Sequence, residues 1–226
     1  MPSFLAELIQ RKQLSPRVEL LTFLAAAPFM REAGQYVLLT LDEGTSHAFS
    51  IATPFDEQEP ARFDIAVARG TTAGPVLELT LGSRVQVTGP SGVLVWKADA
   101  PALLVATGTG ISPLRAIVLE QLARRSNVPL TLLFGCRDAS EELWGAEFAE
   151  LAARQPRFRY LPTHSQPSRG HAGLMGRVQA YLPEQVRMLG PALRAYLCGH
   201  TPMVNDCTTL LLEQGVPAEH IHGESY

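Results

Sequence analysis

The run Leu103-Leu104-Val105-Ala106-Thr107-Gly108-Thr109-Gly110-Ile111-Ser112-Pro113-Leu114-Arg115 carries the residue types of an anion-binding turn. An apolar strand stops at a Gly/Thr turn, and a helix opens behind it. Glycines let a ligand approach the backbone, while the first helical turn offers unpaired N–H groups and the positive end of the helix dipole. Pro113 falls in that first turn, where its missing N–H costs nothing. The turn is not a complete G-x-G-x-x-G fingerprint, so plain strand-end punctuation stays open as a reading of it. Two further strand ends are polar or glycine-rich, Gly135 to Asp138 and Cys198 to Pro202. In an open parallel sheet all three would converge beyond the carboxyl edge, where such sheets bind ligands.

The remaining chemistry-bearing residues narrow the field. Cys136, Cys198 and Cys207 are too few and too widely spaced for a disulfide framework, a zinc site or an iron–sulfur cluster. They read as reduced thiols of a cytoplasmic protein. The histidines, His200, His220 and His222 among them, share no ligand spacing with acids or thiols, so no metal is predicted. A formal net charge of -3 offers no basic field for nucleic acid or an anionic membrane surface. No stretch approaches the roughly 20 apolar residues that span a bilayer, and no apolar leader is visible.

The elements that must position these residues fall into two grammars. With 226 residues, 46% of them hydrophobic, the chain has material for two modest cores. Up to about Lys97 it reads as short strands: Val18 to Leu24, Tyr36 to Leu41, Phe49 to Ala52, Phe63 to Ala68 and Arg84 to Thr88. Turn residues such as Gly34, Asp42-Glu43-Gly44, Gly70 and Gly89-Pro90 separate them, the pattern of an antiparallel barrel or sandwich. One short helix is predicted over Gly74 to Leu81. After Pro101 strands and helices alternate: 102–106 then 113–125, 130–135 then 141–154, 157–162 then 176–182, and 195–199 then 203–214. Alternating βα units predict a parallel sheet covered on both faces. The boundary is placed at Ala98 to Pro101, giving domains 1–98 and 99–226.

The motifs in order resemble the ferredoxin–NADP reductase family, which includes flavin reductases and oxygenase reductase components. They are Gly34-Gln35-Tyr36-Val37, His47-Ala48-Phe49-Ser50, Gly70-Thr71-Thr72-Ala73, Gly89-Pro90-Ser91-Gly92, Gly108 to Pro113, Gly135-Cys136-Arg137, Gly176-Arg177-Val178, Cys198-Gly199 with Met203, and the terminal Glu224-Ser225-Tyr226. The resemblance implies a six-stranded antiparallel flavin-binding β-barrel followed by a Rossmann-like α/β nucleotide-binding domain. It also implies FAD, or FMN, as flavin, and NADH or NADPH as hydride donor. Hydride would pass from nicotinamide C4 to flavin N5.

Carried onto this sequence, the resemblance makes Ser50, Cys198, Glu224 and Tyr226 the catalytic set. Ser50 would hydrogen-bond the N5 edge, where charge develops. Phe49 would stack on the flavin ring. Cys198 would sit against the nicotinamide, and Glu224 would align it or supply a proton. Tyr226 would cover the flavin face and move aside in each turnover. Flavin contacts are assigned to His47, Ala48, Phe49, Ser50, Ala66, Val67, Gly70, Thr71, Thr72 and Ala73. Nucleotide contacts are assigned to Thr107, Gly108, Thr109, Gly110, Ile111, Ser112, Pro113, Arg137, Cys198, Gly199, Met203 and Tyr226. Ser165-Gln166 stands where NADPH-specific relatives tend to carry arginine, which leans toward NADH, while Arg169 and Arg177 keep NADPH open.

Two departures matter. His47 replaces the usual arginine, whose fork grips the FAD pyrophosphate, and Ala73 stands where relatives often carry Ser or Thr. Both predict loosely held FAD, or flavin acting as a released substrate. Electrons would leave to an acceptor protein (ferredoxin, flavodoxin or an oxygenase) or to free flavin. The competing reading is a non-catalytic flavin or nucleotide sensor that kept the fold. The oligomeric state is left open, with a monomer as the working expectation.

Overall fold

The computed structural model describes residues 1–41, 44–71, 73–97, 99–124 and 127–226. Six antiparallel strands form the first half: β1 (Ser3–Ser15), β2 (Val18–Ala25), β3 (Tyr36–Thr40), β4 (Ser46–Ser50), β5 (Arg62–Ala68) and β6 (Arg84–Ser91). Their order is β4-β3-β6-β1-β2-β5, and an Ile51–Ile65 bridge joins the two edges into a barrel. Period-two alternation aims Leu21, Phe23, Val37, Leu39, Phe63, Ile65, Val85 and Val87 into its interior. There the Phe23 and Phe63 rings stack at 5.5 Å.

The second half holds β7 (Ala102–Thr107), α1 (Ile111–Ala123), β8 (Leu130–Cys136), α2 (Gly145–Arg154) and β9 (Phe158–His164). It continues with β10 (Leu174–Met175), α3 (Leu182–Leu189), β11 (Arg194–Gly199), α4 (Thr201–Glu213) and β12 (Ile221–Ser225). Every pairing in the order β10-β9-β8-β7-β11-β12 is parallel. Both faces of β7 are apolar for that reason: Leu104 and Ala106 join the core under α1 and α2, and Leu103 and Val105 join the core under α3 and α4.

The halves share a core. Val18, Ala33, Ala66 and Leu94 from the barrel side pack in one cluster with Ile111, Leu114 and Ile117. A side chain at Gly34 would collide with the Leu94 carbonyl, so close approach there requires glycine. The connecting segment is pinned as well, since the Lys97 amide donates to the Tyr196 hydroxyl at 3.0 Å and Trp96 stacks on the Tyr196 ring. Ala98, at the expected boundary, lies outside the described residues.

Several elements differ from expectation. β1 is missing from the sequence reading because Gln10, Arg11, Lys12 and Gln13 break the alternation; its strand state comes from pairing with both β2 and β6. The helix expected over 74–81 is a 3-10 turn at Gly74–Glu78. The helix expected over 176–182 is a 3-10 turn at Val178–Tyr181, and α3 begins where that prediction ended, with Pro183 in its first turn. α2 starts at Gly145, four residues late, because Trp144 is left-handed at φ 53°. The end expected for α1 at Arg125 lies outside the described residues. β12 is too short and polar to show as a strand, and exists by parallel pairing with β11. Among the described residues, no helix is long and apolar enough to cross a membrane.

Candidate active site

A crevice of about 680 Å³ opens between the halves. One wall is the carboxyl edge of the parallel sheet, with Thr107 to Thr109 after β7, Gly135 to Arg137 at β8, and His200, Pro202 and Met203 beyond β11. The barrel supplies the other wall from the β1–β2 hairpin (Ser15, Arg17, Val18) and the end of β5 (Ala68 to Thr71). Four arginines line it, Arg17, Arg69, Arg137 and Arg177, against Glu141 and Asp206. Glu141 lies between Arg17 at 3.6 Å and Arg137 at 3.7 Å, and Glu19 pairs with Arg69 and Arg11. That excess of guanidinium suits a phosphorylated ligand.

The glycine turn performs two tasks. Gly108 is left-handed at φ 55°, and Gly110 is bare because a Cβ there would collide with the Cys198 carbonyl. Its glycine thus serves the approach of α1 to β11, more than the approach of a ligand. The Gly110 amide is the donor that faces outward, and it meets the Tyr226 hydroxyl at 2.8 Å. That hydroxyl also contacts Thr109 Oγ1 at 3.2 Å and donates to the Thr107 carbonyl at 3.0 Å. β12 holds the tail there, with the Tyr226 amide donating to the Gly199 carbonyl.

A second cluster forms where the barrel rim meets β12. Ser50 pairs with Tyr36 across β3–β4, and the Tyr36 ring lies against Gly92, which adopts φ 108°. A Cβ on Gly92 would stand 3.1 Å from Glu224 Oε1, so the carboxylate faces the same point. The Val93 amide donates to that oxygen at 3.4 Å. Burial pushes the Glu224 carboxyl up, against the pull of the Val93 and Leu94 amides. Cys198 pairs with Glu224 across β11–β12 and is buried, which pushes its thiol up to about 12 with the Glu224 charge adding to the effect. It is therefore a neutral thiol.

Comparison with known proteins is decisive about family. Residues 104–209 match the oxidoreductase NAD-binding domain. Ferredoxin–NADP reductase B of Sorangium cellulosum is 36% identical, over 99% of this chain and 97% of its own. The chain belongs to the ferredoxin–NADP reductase family. The reductase component DmpP of phenol 2-monooxygenase from Pseudomonas sp. (strain CF600) is 32% identical over 88% of this chain, which spans 59% of that relative. Among solved structures, the Amycolatopsis cytochrome P450 reductase GcoB superposes with a TM-score of 0.89 at 26% identity, covering 99% of this chain and 69% of its own.

Within this reductase fold, the residues singled out by sequence separate into groups. Thr107, Gly108, Thr109, Gly70, Thr71, Arg137, Met203 and Tyr226 meet in the crevice. Ser50 and Glu224 are linked at the rim through Tyr36 and Gly92. Ile111, Ser112 and Pro113 are buried in the core and do not line the crevice, and the Ser112 hydroxyl has no partner among the described residues. Thr107 turns its hydroxyl toward β11, where the His200 amide donates to it at 3.3 Å. Cys198 lies behind the crevice wall, and Gly199, at φ 148°, leaves room for Thr107.

On the barrel, Phe49 corrects an expectation. It is 6% exposed and belongs to the barrel core, because an apolar residue on the inward side of a period-two strand buries itself. Ala66 and Val67 are buried in the core as well and do not line the crevice, which begins on this strand at Ala68. Ala48 is exposed, and His47 lies with its ring 6.5 Å from Phe49. Thr71 spends its hydroxyl on the Ala68 carbonyl, and Ala73 precedes the 3-10 turn without capping it. Thr72 lies outside the described residues. At the rim, Ser50 has a hydroxyl with no partner among the described residues, and His47 offers no guanidinium fork.

Tyr36, Arg17 and Arg69 went unassigned from sequence. A tyrosine heading a strand beside a glycine, and an arginine directly preceding the Gly70 motif, were the available signals. Arg17 had none, because it enters the crevice only through the β1–β2 hairpin.

Proposed function

We propose that this chain is an NAD(P)H-dependent flavin oxidoreductase, with residues 1–98 holding the flavin and 99–226 the nicotinamide nucleotide. A bound flavin would supply hydride acceptance and onward electron transfer. The chain's own residues bind and orient. The observation that carries the reading is the crevice itself, walled by the glycine turn of one half and the Ala68–Thr71 corner of the other.

The Thr107–Gly110 turn, with its Gly110 amide, receives the nucleotide pyrophosphate, and Arg137 and Arg177 the adenosine end. Ser50 donates to the flavin N5 edge, and Glu224 holds a proton or aligns the nicotinamide at the rim. His47 supports FAD at one point only, so flavin exchanges readily. The acceptor is a separate protein or free flavin; the relatives at 36% and 32% identity are a ferredoxin–NADP reductase and an oxygenase reductase component. Those names disfavour the sensor reading. Cys136, Cys198 and Cys207 are all free thiols, which suits a cytoplasmic enzyme.

The test is anaerobic mixing of the FAD-supplemented protein with NADH and, separately, NADPH. Bleaching of the flavin band at about 1 to 1,000 per second establishes the activity and ranks the two donors. Bound flavin that neither donor reduces would return the sensor reading.

A further inference from the structure

Arg115 closes the glycine-turn segment on α1 and has no part in the chemistry described so far. Its side chain is 13% exposed, and its guanidinium engages three elements at once. One nitrogen donates to the Ala52 carbonyl of the barrel at 2.7 Å, two residues beyond Ser50. The other two form a bidentate pair with Glu147 on α2, each at 2.8 Å. The guanidinium also lies 5.1 Å from the ring centre of Trp144, the one non-glycine residue with positive φ among the described residues.

Each element leads to a different part of the proposed site, the barrel rim or the crevice. Ala52 follows the strand that carries Ser50. α1 begins at the turn that presents the Gly110 amide. Trp144 adjoins Leu143, which lines the crevice, and the turn bearing Glu141. Apolar contacts among Val18, Ala66, Leu94, Ile111 and Leu114 already hold the halves together, but burial is non-directional and tolerates sliding. A planar fork is directional and fixes distance and angle together. Holding Trp144 left-handed, a conformation a bulky side chain rarely adopts, is consistent with a site that is over-determined by its surroundings.

We propose that Arg115 is a positioning residue that sets the distance between the Ser50 edge of the barrel and the nucleotide held at Gly110, and so governs hydride transfer more than nucleotide binding. This rests on the oxidoreductase reading above.

The test uses the full chain and the variants Arg115→Met, Arg115→Lys and Glu147→Gln. In rapid anaerobic mixing, Arg115→Met should lower the limiting rate of flavin reduction by about 10- to 100-fold, the scale of a misplacement near 1 Å. Its nucleotide dissociation constant should stay within about twofold, and the long-wavelength charge-transfer absorbance of the nicotinamide–flavin complex should weaken. Arg115→Lys should lie between, because it keeps charge and one donor but loses the fork. In the flavin-free chain, amide hydrogen exchange should quicken at Ala52 and in the first turn of α2, with the outer barrel strands unchanged.

A limiting rate equal to wild type, with only a lower melting temperature, would make Arg115 merely structural and overturn the proposal. A raised dissociation constant at unchanged limiting rate would also overturn it. Wild-type flavin that no nicotinamide nucleotide reduces would defeat the oxidoreductase reading, and this inference with it. If Arg115→Met does not fold, Glu147→Gln decides, since it leaves the guanidinium and its bond to Ala52 in place; a several-fold slower limiting rate supports the proposal and an unchanged rate overturns it.

Discussion

The Tyr226 hydroxyl sits 2.8 Å from the Gly110 amide, taking the hydrogen bond that a phosphate oxygen would need at the start of α1. On the proposed reading, the Tyr226 side chain occupies the first anion donor of the nucleotide site. Tyr226→Phe keeps the ring and removes only this competitor. Nicotinamide nucleotide should bind about tenfold more tightly, the equivalent of one net hydrogen bond near 1.4 kcal/mol. Titration of the flavin-free protein by calorimetry measures it; equal affinities would place the pyrophosphate elsewhere.

Ser50 stands at the barrel rim with a hydroxyl that has no partner among the described residues. Ser50→Ala should slow flavin reduction by about 10- to 100-fold while changing FAD affinity less than about threefold, because the lost hydrogen bond strengthens as charge develops at N5. Stopped-flow reduction beside a fluorescence titration of FAD separates the two effects.

On the proposed reading, His47 would grip FAD at one point where a guanidinium would grip at two. Restoring a fork with His47→Arg should tighten FAD by at least about tenfold, since charge-assisted hydrogen bonds contribute about 1.5 to 3 kcal/mol. FAD content after extensive dialysis reports the change: substoichiometric in wild type, near one per chain in the variant. Wild-type protein that keeps its full complement of FAD would show that other groups do the holding.

Glu224 links pH to stability. Burial raises its carboxyl above the ordinary 4.5, so the unfolded chain sheds the proton first as pH rises. The site is at its most favourable below about pH 4.5 and loses stability as pH climbs from there through the folded-state value. Glu224→Gln should therefore melt higher than wild type at neutral pH, with the gap closing below pH 4.5, while catalysis falls. Parallel melting curves across pH would show that the carboxyl is not strained by its burial.

How far these positions were legible in the chain differs residue by residue. Thr107 to Gly110 was visible because its signals are local: an apolar run, a glycine turn and a helix start lie within a dozen or so neighbours, and period-two and helical patterns reach no further. The strand ends at Gly135 and His200 followed from the βα alternation, since a parallel sheet must carry its loops on one edge. The family motifs placed Ser50 and Glu224 on the same terms.

What the pattern could not carry was pairing at a distance. β1 reads as a polar stretch and is a strand because β2 and β6 claim its backbone on both edges. Phe49 reads as a stacking face and is core, a choice made by which side of the barrel closed. β12 shows no strand signal, yet its pairing with β11 brings Glu224 beside Cys198 and lays Tyr226 on Gly110. Arg115 reads as an ordinary helix residue until Ala52, Trp144 and Glu147 are folded around it. The sequence by itself determined the elements and the glycine turn, because a few neighbouring side chains decide those. Tertiary structure alone decided which groups share the crevice, because burial and register pair residues that are far apart along the chain.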